Sequence, residues 1–194
     1  MVAEARQRHP DVMFAEGDAE RLAFPDSSFD AVVMNFGLLH LSNPESALAE
    51  AHRVLRHGGR YAFTVWASPE QAVGFGIVLG AIERHGTLEV GLPAGPPFFR
   101  FSEAEECRRF LELAGFDAPE IRHLPLVWRL SSAGDVFDAL SRGGVRTAAV
   151  LRAQTPAALA AIRADIEREI AGYAQDDGFV VPMPAVLAAA AKSA

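Results

Sequence analysis

The segment FDAVVMNF, residues 29–36, constrains the fold most. It is a continuous apolar run with β-branched residues and no polar alternation, which suits a strand buried on both faces. A helix follows. Asn43 is placed to cap it, Pro44 fits its first turn, and Ala47, Leu48, Ala51, Val54 and Leu55 form one apolar face. Gly58-Gly59 reads as the helix stop, and RYAFTVW, residues 60–66, as a second two-sided strand. Strand, helix and strand within about 35 residues make a βαβ unit, hence a parallel pair joined by a right-handed crossover. The expected class is α/β, with helices on both faces of the sheet.

The flanking segments extend this reading. Residues 1–9 look like the late part of a helix that Pro10 ends. VMFAE, residues 12–16, suits a short strand leading into a Gly-Asp loop, and Pro25-Asp26-Ser27-Ser28 is a turn. Residues 69–90 read as a helix containing three glycines, followed by the loop GLPAGPPFF. Ser102 and Glu105 have capping-box spacing ahead of a helix whose apolar face is Cys107, Phe110, Leu111 and Ala114, with Gly115 as its stop. APEIRHLPLVWRLSS suggests two short strands hinged about Leu124-Pro125. From Thr155 a long helix carries Leu159, Ile162, Ile166, Ile170 and Tyr173, and the Ala-rich stretch 185–192 is expected to dock as a last helix. The organisation expected is therefore one domain over 1–194, with 69–100 as a lid covering substrate and 155–194 as a C-terminal helical extension.

Charge and cysteine content narrow the function. A net charge of −7 over 194 residues opposes a nucleic-acid surface, which needs a basic stripe. One cysteine, Cys107, excludes an internal disulfide framework and a cysteine-based zinc site. No 18-residue apolar run suggests a membrane span, and the charged first residues do not resemble a signal peptide, so a cytoplasmic location is expected.

Two stretches could carry chemistry. In EGDAERL, residues 16–22, the Asp18 carboxylate beside the Ala19 amide matches the donor–acceptor edge of adenine. The same Asp also suits an Asx-turn that merely bends the backbone. In NFGLLHL, residues 35–41, Asn35 closes an apolar strand at its carboxyl end, where ligands of open α/β sheets bind. His40 is the side chain there that titrates near neutrality, and it reads either as a general base or as part of the entry to the next helix. GFGIVLG, residues 74–80, imitates a nucleotide fingerprint. Its spacing is G-x-G-x-x-x-G and no strand precedes it, so small residues that let helices approach explain it better. The remaining histidines show no metal-ligand spacing, and no metal site is expected.

Together these pieces resemble a known family. The stretch GDAERLAFPDSSFDAVVMNFGLLHLSNPESALAEAHRVLRHGGRYAFTVW is similar to the centre of class I S-adenosylmethionine-dependent methyltransferases, nearest the branch holding quinone-biosynthesis C-methyltransferases. FFRFSEAEECRRFLELAGF resembles a downstream block of the same family. The resemblance implies a Rossmann-like sheet, S-adenosylmethionine as cofactor and a small-molecule methyl acceptor. It assigns Asp18 and Ala19 to the adenine, Asn35, Phe36 and Gly37 to the loop beneath the methionine part, and His40 to the neighbourhood of the transferred methyl.

The family begins with a strand, a Gly-rich loop and a helix, then a second strand ending in an acid that holds ribose. None of these is present, so the resemblance implies an N-terminally truncated sheet lacking its first two strands. The shortfall is on the order of 40–60 residues, more than one βαβ motif of about 30. The implied order 3-2-1-4-5-7-6 then leaves a gap between strand 12–16 and strand 29–36. Those strands must pair directly, borrow strands from a partner such as a second copy, or belong to a fragment. The alternative to methyl transfer is a non-catalytic binding or assembly module completed by a partner chain.

Overall fold

In the computed structural model, residues 2–92 and 96–193 are described. The expected βαβ unit forms: β1 (Phe29–Asn35) lies parallel to β2 (Leu55–Trp66), and α2 (Pro44–Val54) connects them. Asn43 caps α2 through its side chain, which accepts from the Ser46 amide. The pairing Val32↔Tyr61 and Met34↔Phe63 puts one set of side chains on the face that α2 covers. On that face Leu48, Tyr61 and Phe63 are fully buried, together with Phe110 and Leu111 of α4 (Ala104–Leu113). Each such side chain contributes roughly 1.5–3 kcal/mol by leaving water.

Gly58-Gly59 does not stop the helix. Helix α2 has already ended at Leu55, and the register jumps between Phe29↔Leu55 and Ala31↔Arg60, so the glycines occupy a bulge at the start of β2. Gly58 sits there at φ +76°, a conformation that suits glycine. Gly115, at φ +85°, ends α4 as expected. Ser102 does not cap α4: its hydroxyl donates to the Phe99 carbonyl and closes a short 3-10 turn, Arg100–Ser102.

The Ala-rich stretch is a strand. β7 (Ala185–Lys192) lies antiparallel between β2 and β3 (Phe116–Leu124), giving the order β1-β2-β7-β3. Alanine's helix preference is a weak local term, and the slot between two strands overrides it. Ala188 pairs with Phe63 and Ala190 with Tyr61, so small residues sit beside the large rings. The order reproduces the last four places of the expected 3-2-1-4-5-7-6. Within the extension expected to be helical over 155–194, helix is confined to α7 (Pro156–Ile170), capped by the Thr155 hydroxyl, and the 3-10 turn Ala171–Tyr173 that follows it.

Strand 12–16 does not form. It is irregular, with Val12 53% and Met13 99% exposed, because no neighbouring strand offers it a ladder. Nor does it pair with β1, so the direct pairing considered from sequence is not what the chain does. The short helix α1 (Val2–Arg8) precedes it, and the Arg6 guanidinium donates to the Phe14 carbonyl. The second face of the sheet carries Val33, Ala62, Thr64, Leu187 and Ala189, none of them buried. Val33 is 77% exposed on the edge strand. Helices therefore cover one face closely, while the other is largely open along β1.

A second core lies beyond the carboxyl end of β2. It joins α3 (Val73–His85), α5 (Asp135–Gly143), α6 (Val145–Arg152) and α7 around Val78, Ile82, Leu151, Ile162 and Ile166. A small sheet of β4 (Val127–Leu130), β6 (Gly178–Pro182) and β5 (Ala174–Gln175) closes it. β3 and β4 do not form the hairpin suggested about Leu124-Pro125: each pairs in a different sheet. The glycine cluster of α3 serves packing. A Cβ at Gly74 would meet Met183 Sδ at 2.7 Å, and one at Gly76 would meet the Pro69 carbonyl oxygen at 2.5 Å. Part of the GLPAGPPFF loop lies outside the described residues. Trp66 and Phe98 touch both cores.

Candidate functional site

The carboxyl end of β1 turns sharply into the second core. Asn35 ends the strand, and Phe36 adopts φ +50°, an uncommon conformation for a side chain with a Cβ. Thr64 of the neighbouring strand holds that turn. Its carbonyl and its Oγ1 each accept from the Phe36 amide at 3.1 Å, while its hydroxyl donates to Asn35 Oδ1. Gly37 then opens the 3-10 turn Leu38–His40; a Cβ there would meet Met34 Cγ at 2.8 Å. Leu38 and Leu39 anchor the turn in the first core, which leaves His40 at the rim.

What this turn faces is a chamber of about 300 Å³ walled by aromatic rings: Phe36, Trp66, Phe75, Phe98 and Trp128, with His40 and Arg146 also lining it. Phe36 stacks on Trp66, and Trp128 meets Trp66 edge-on at 6.0 Å between centroids. The His40 ring lies edge-on to Phe98 at 5.8 Å. Partial burial there pushes its imidazole below the ordinary value, so the ring is neutral at neutral pH and able to accept a proton.

Asp18 and Ala19 lie on a different loop. The Asp18 carboxylate closes an Asx-turn, its Oδ1 accepting from the Glu20 amide at 2.9 Å. Of the two readings left open by the sequence, this turn is the one the structure displays. Among the described residues nothing bonds Oδ2. Glu20 ties the loop to the helical entry after His40, since its carboxylate accepts from the Asn43 amide at 2.8 Å. Glu50 and Arg53 of α2 pin the following residues: Glu50 accepts from the Leu22 amide, and Arg53 donates to the Leu22 and Phe24 carbonyls. The Arg53 hydrogen bond holds the Glu50 carboxyl down at about 2.

The structure thus places Asn35, Phe36, Gly37 and His40 on one turn at the end of β1, and Asp18 and Ala19 on a separate loop tied to the entry of α2 through Glu20. Thr64, Trp66, Phe75, Phe98 and Trp128 were missed by the sequence reading. One signal for Thr64 was available, because a polar residue in the apolar run RYAFTVW marks the end of that strand as Asn35 marks its own. The rings of the chamber come from five separate segments, and no local pattern joins them. Cys107 is buried, its thiol pushed up to about 12 chiefly by that burial, and it is no nucleophile. No group of three or more His, Cys, Asp or Glu among the described residues could hold a metal ion.

Residues 1–63 match the methyltransferase domain family. Demethylmenaquinone methyltransferase of Beutenbergia cavernae is 47% identical over 72 residues, which cover 37% of this chain and 30% of the relative. The ubiquinone/menaquinone biosynthesis C-methyltransferase UbiE of a Bradyrhizobium species is 60% identical over 50 residues, 26% of this chain and 20% of the relative. The chain therefore spans less than a third of the length of these curated relatives. Among solved structures, YcgJ of Bacillus subtilis aligns over 99% of this chain and 76% of its own, at 19% identity and a TM-score of 0.58. A SAM-dependent methyltransferase of Thermotoga maritima aligns over 98% of this chain and 68% of its own, at 18% identity and a TM-score of 0.52. The [4+2]-cyclase SpnF aligns over 100% and 63%, at 24% identity and a TM-score of 0.50. At such identities the likeness shows the fold, which SpnF uses for a different reaction.

Proposed function

We propose that this chain, whose first third is methyltransferase-domain sequence, transfers a methyl group from S-adenosylmethionine to a small-molecule acceptor. The observation that carries the reading is the strained turn Asn35–His40, which leaves the carboxyl end of a parallel strand and opens onto an aromatic chamber. When bound, the cofactor would supply an electrophilic methyl on a sulfonium sulfur, which leaves as a neutral thioether as the methyl passes to the acceptor. The chain's task is alignment and exclusion of water. The Asn35 side chain and the Phe36–Gly37 backbone would lie beneath the methionine part of the cofactor, and the free Asp18 oxygen with the Ala19 amide would take the adenine edge.

These residues would serve the adenine and methionine ends, and none of them is assigned to the ribose. Neutral His40 would accept a proton where the acceptor must lose one. The segment 69–100, which supplies Phe75 and Phe98 to the chamber wall, would cover the bound acceptor. Among the described residues no helix is long and apolar enough to cross a membrane; the reading places the reaction in the cytoplasm.

A calorimetric titration with S-adenosylmethionine tests this reading. Micromolar binding, weakened at least tenfold by Asp18→Ala with little change in Tm, supports it. Absence of any heat at millimolar cofactor overturns it for this chain. The exposed edge of β1 and the open face around Val33 favour a second reading, a binding module completed by a partner such as a second copy. Sedimentation separates the two: a dimer that Val33→Lys dissociates, with no cofactor binding in either state, supports the module.

A further inference from the structure

Behind the aromatic chamber lies a second cavity of about 310 Å³. Phe75, Phe98, Arg146 and Thr147 line both, so the two share one wall. The character of the second differs from the first. Leu79, Ile82, Leu88, Val90, Phe99 and Val150 surround it, with Glu89 as its acidic group. It sits between α3, α6 and the loop after α3, inside the second core rather than at the sheet.

We infer that this second cavity is a subsite for an aliphatic substituent of the methyl acceptor, whose reacting part occupies the aromatic chamber. The inference rests on the reading of that chamber as the acceptor site. Each cavity alone lies at the low end of ligand pockets, and the two together fall well inside the usual range of about 300–1,000 Å³. A methylene takes up about the volume of a water molecule, about 30 Å³, so the cavity holds a chain of about ten carbons at most. The acceptor class is therefore a compact head bearing a short to medium hydrocarbon chain. A much longer chain would have to leave the cavity.

The chain carries its own reporter. Its two tryptophans, Trp66 and Trp128, both face the aromatic chamber. Phenol, para-ethylphenol, para-butylphenol, para-hexylphenol, para-octylphenol and para-dodecylphenol, titrated below their micelle concentrations, would be followed by tryptophan fluorescence. Affinity should rise up to about fourfold per methylene from ethyl to octyl, then level off at dodecyl. Val150→Phe and Leu79→Phe narrow the cavity from two helices. Either should leave phenol binding unchanged and shorten the chain length at which affinity levels off, and Leu79 is half-buried, so that variant retains the fold. A flat dependence on chain length, or an unshifted plateau in a folded variant that binds phenol normally, overturns the inference. Phenol that fails to quench either tryptophan overturns the acceptor chamber and this subsite together. A chain-length ladder without cofactor binding keeps the two cavities as a site for a head and its alkyl chain, and overturns the assignment of that ligand as a methyl acceptor.

Discussion

Phe36 stacks on Trp66 with 4.2 Å between ring centroids and 27° between planes, although the two residues sit at the ends of different strands. The parallel register brings Asn35 opposite Thr64, so that Phe36, the next residue, and Trp66, two residues beyond Thr64, line the same chamber. The contact couples the backbone turn that would carry the cofactor to the wall that would hold the acceptor.

Thr64 is the hinge of that coupling, because its side chain accepts from the Phe36 amide and donates to Asn35. Thr64→Val removes both bonds at nearly constant volume. The variant should lose about 1–2 kcal/mol in urea unfolding and bind S-adenosylmethionine at least tenfold more weakly, while Thr64→Ser keeps most of both.

His40 and His52 are held below their ordinary value of 6.5, each chiefly by burial. The unfolded chain takes up their protons near 6.5 while the folded chain resists. Their contribution to stability is therefore complete above pH 6.5 and erodes as pH falls from there through the lowered folded values. The Tm-versus-pH slope below 6.5 should flatten in His40→Asn with His52→Asn, as differential scanning calorimetry would record. Methyl transfer that needs His40 as base should be lost over the same acid range in the parent chain.

Tyr61 is fully buried between Phe63 and Phe116, and among the described residues its hydroxyl has no hydrogen-bond partner. Burial pushes its ionisation far up, so the group stays a neutral, unsatisfied donor. Tyr61→Phe should stabilise the chain by about 1 kcal/mol, a rise in Tm of about 2–4 °C. An unchanged or lower Tm would show that the hydroxyl is satisfied.

Asp165 is buried in α7 and accepts from Arg84 and His85 of α3 and from Arg168 of its own helix. Burial pushes its carboxyl up, but the hydrogen bonds and the positive charges outweigh it and leave the group below its ordinary value. Asp165→Ala should cost about 3 kcal/mol, the low end for a broken buried pair because Arg84 and Arg168 can turn to water. Acid should weaken the α3–α7 clamp as pH falls from the ordinary carboxylate value of 3.8 through the lowered one.

The sequence was most readable where local pattern and tertiary demand agreed. Asn43, Pro44 and the Ala47–Leu48–Ala51–Val54 face specify α2 within one short stretch, and the parallel pair follows from it. Reading failed where a neighbour decides. Residues 12–16 have strand composition and no strand to pair with, and residues 185–192 have helix composition and a strand-shaped slot to fill. In the candidate site, Asn35 through His40 could be found because they are contiguous and close an apolar run. The chamber walls could not, since Trp66, Phe75, Phe98 and Trp128 meet only after two cores have packed against each other.

The place of β7 sets the timing of folding. Trp66 pairs with Ala185, and that strand also carries the whole of β3, so the middle of the sheet is supplied by a segment made after both of its neighbours. Until then β2 and β3 each present a bare edge, and the βαβ unit can form while the sheet cannot close. Such long-range pairing makes for slow folding, and it exposes two sticky strand edges to other chains during translation. A ribosome-bound chain stalled before Ala185 should accordingly be aggregation-prone and protease-sensitive, and emergence of residues 185–192 should protect both edges in one step.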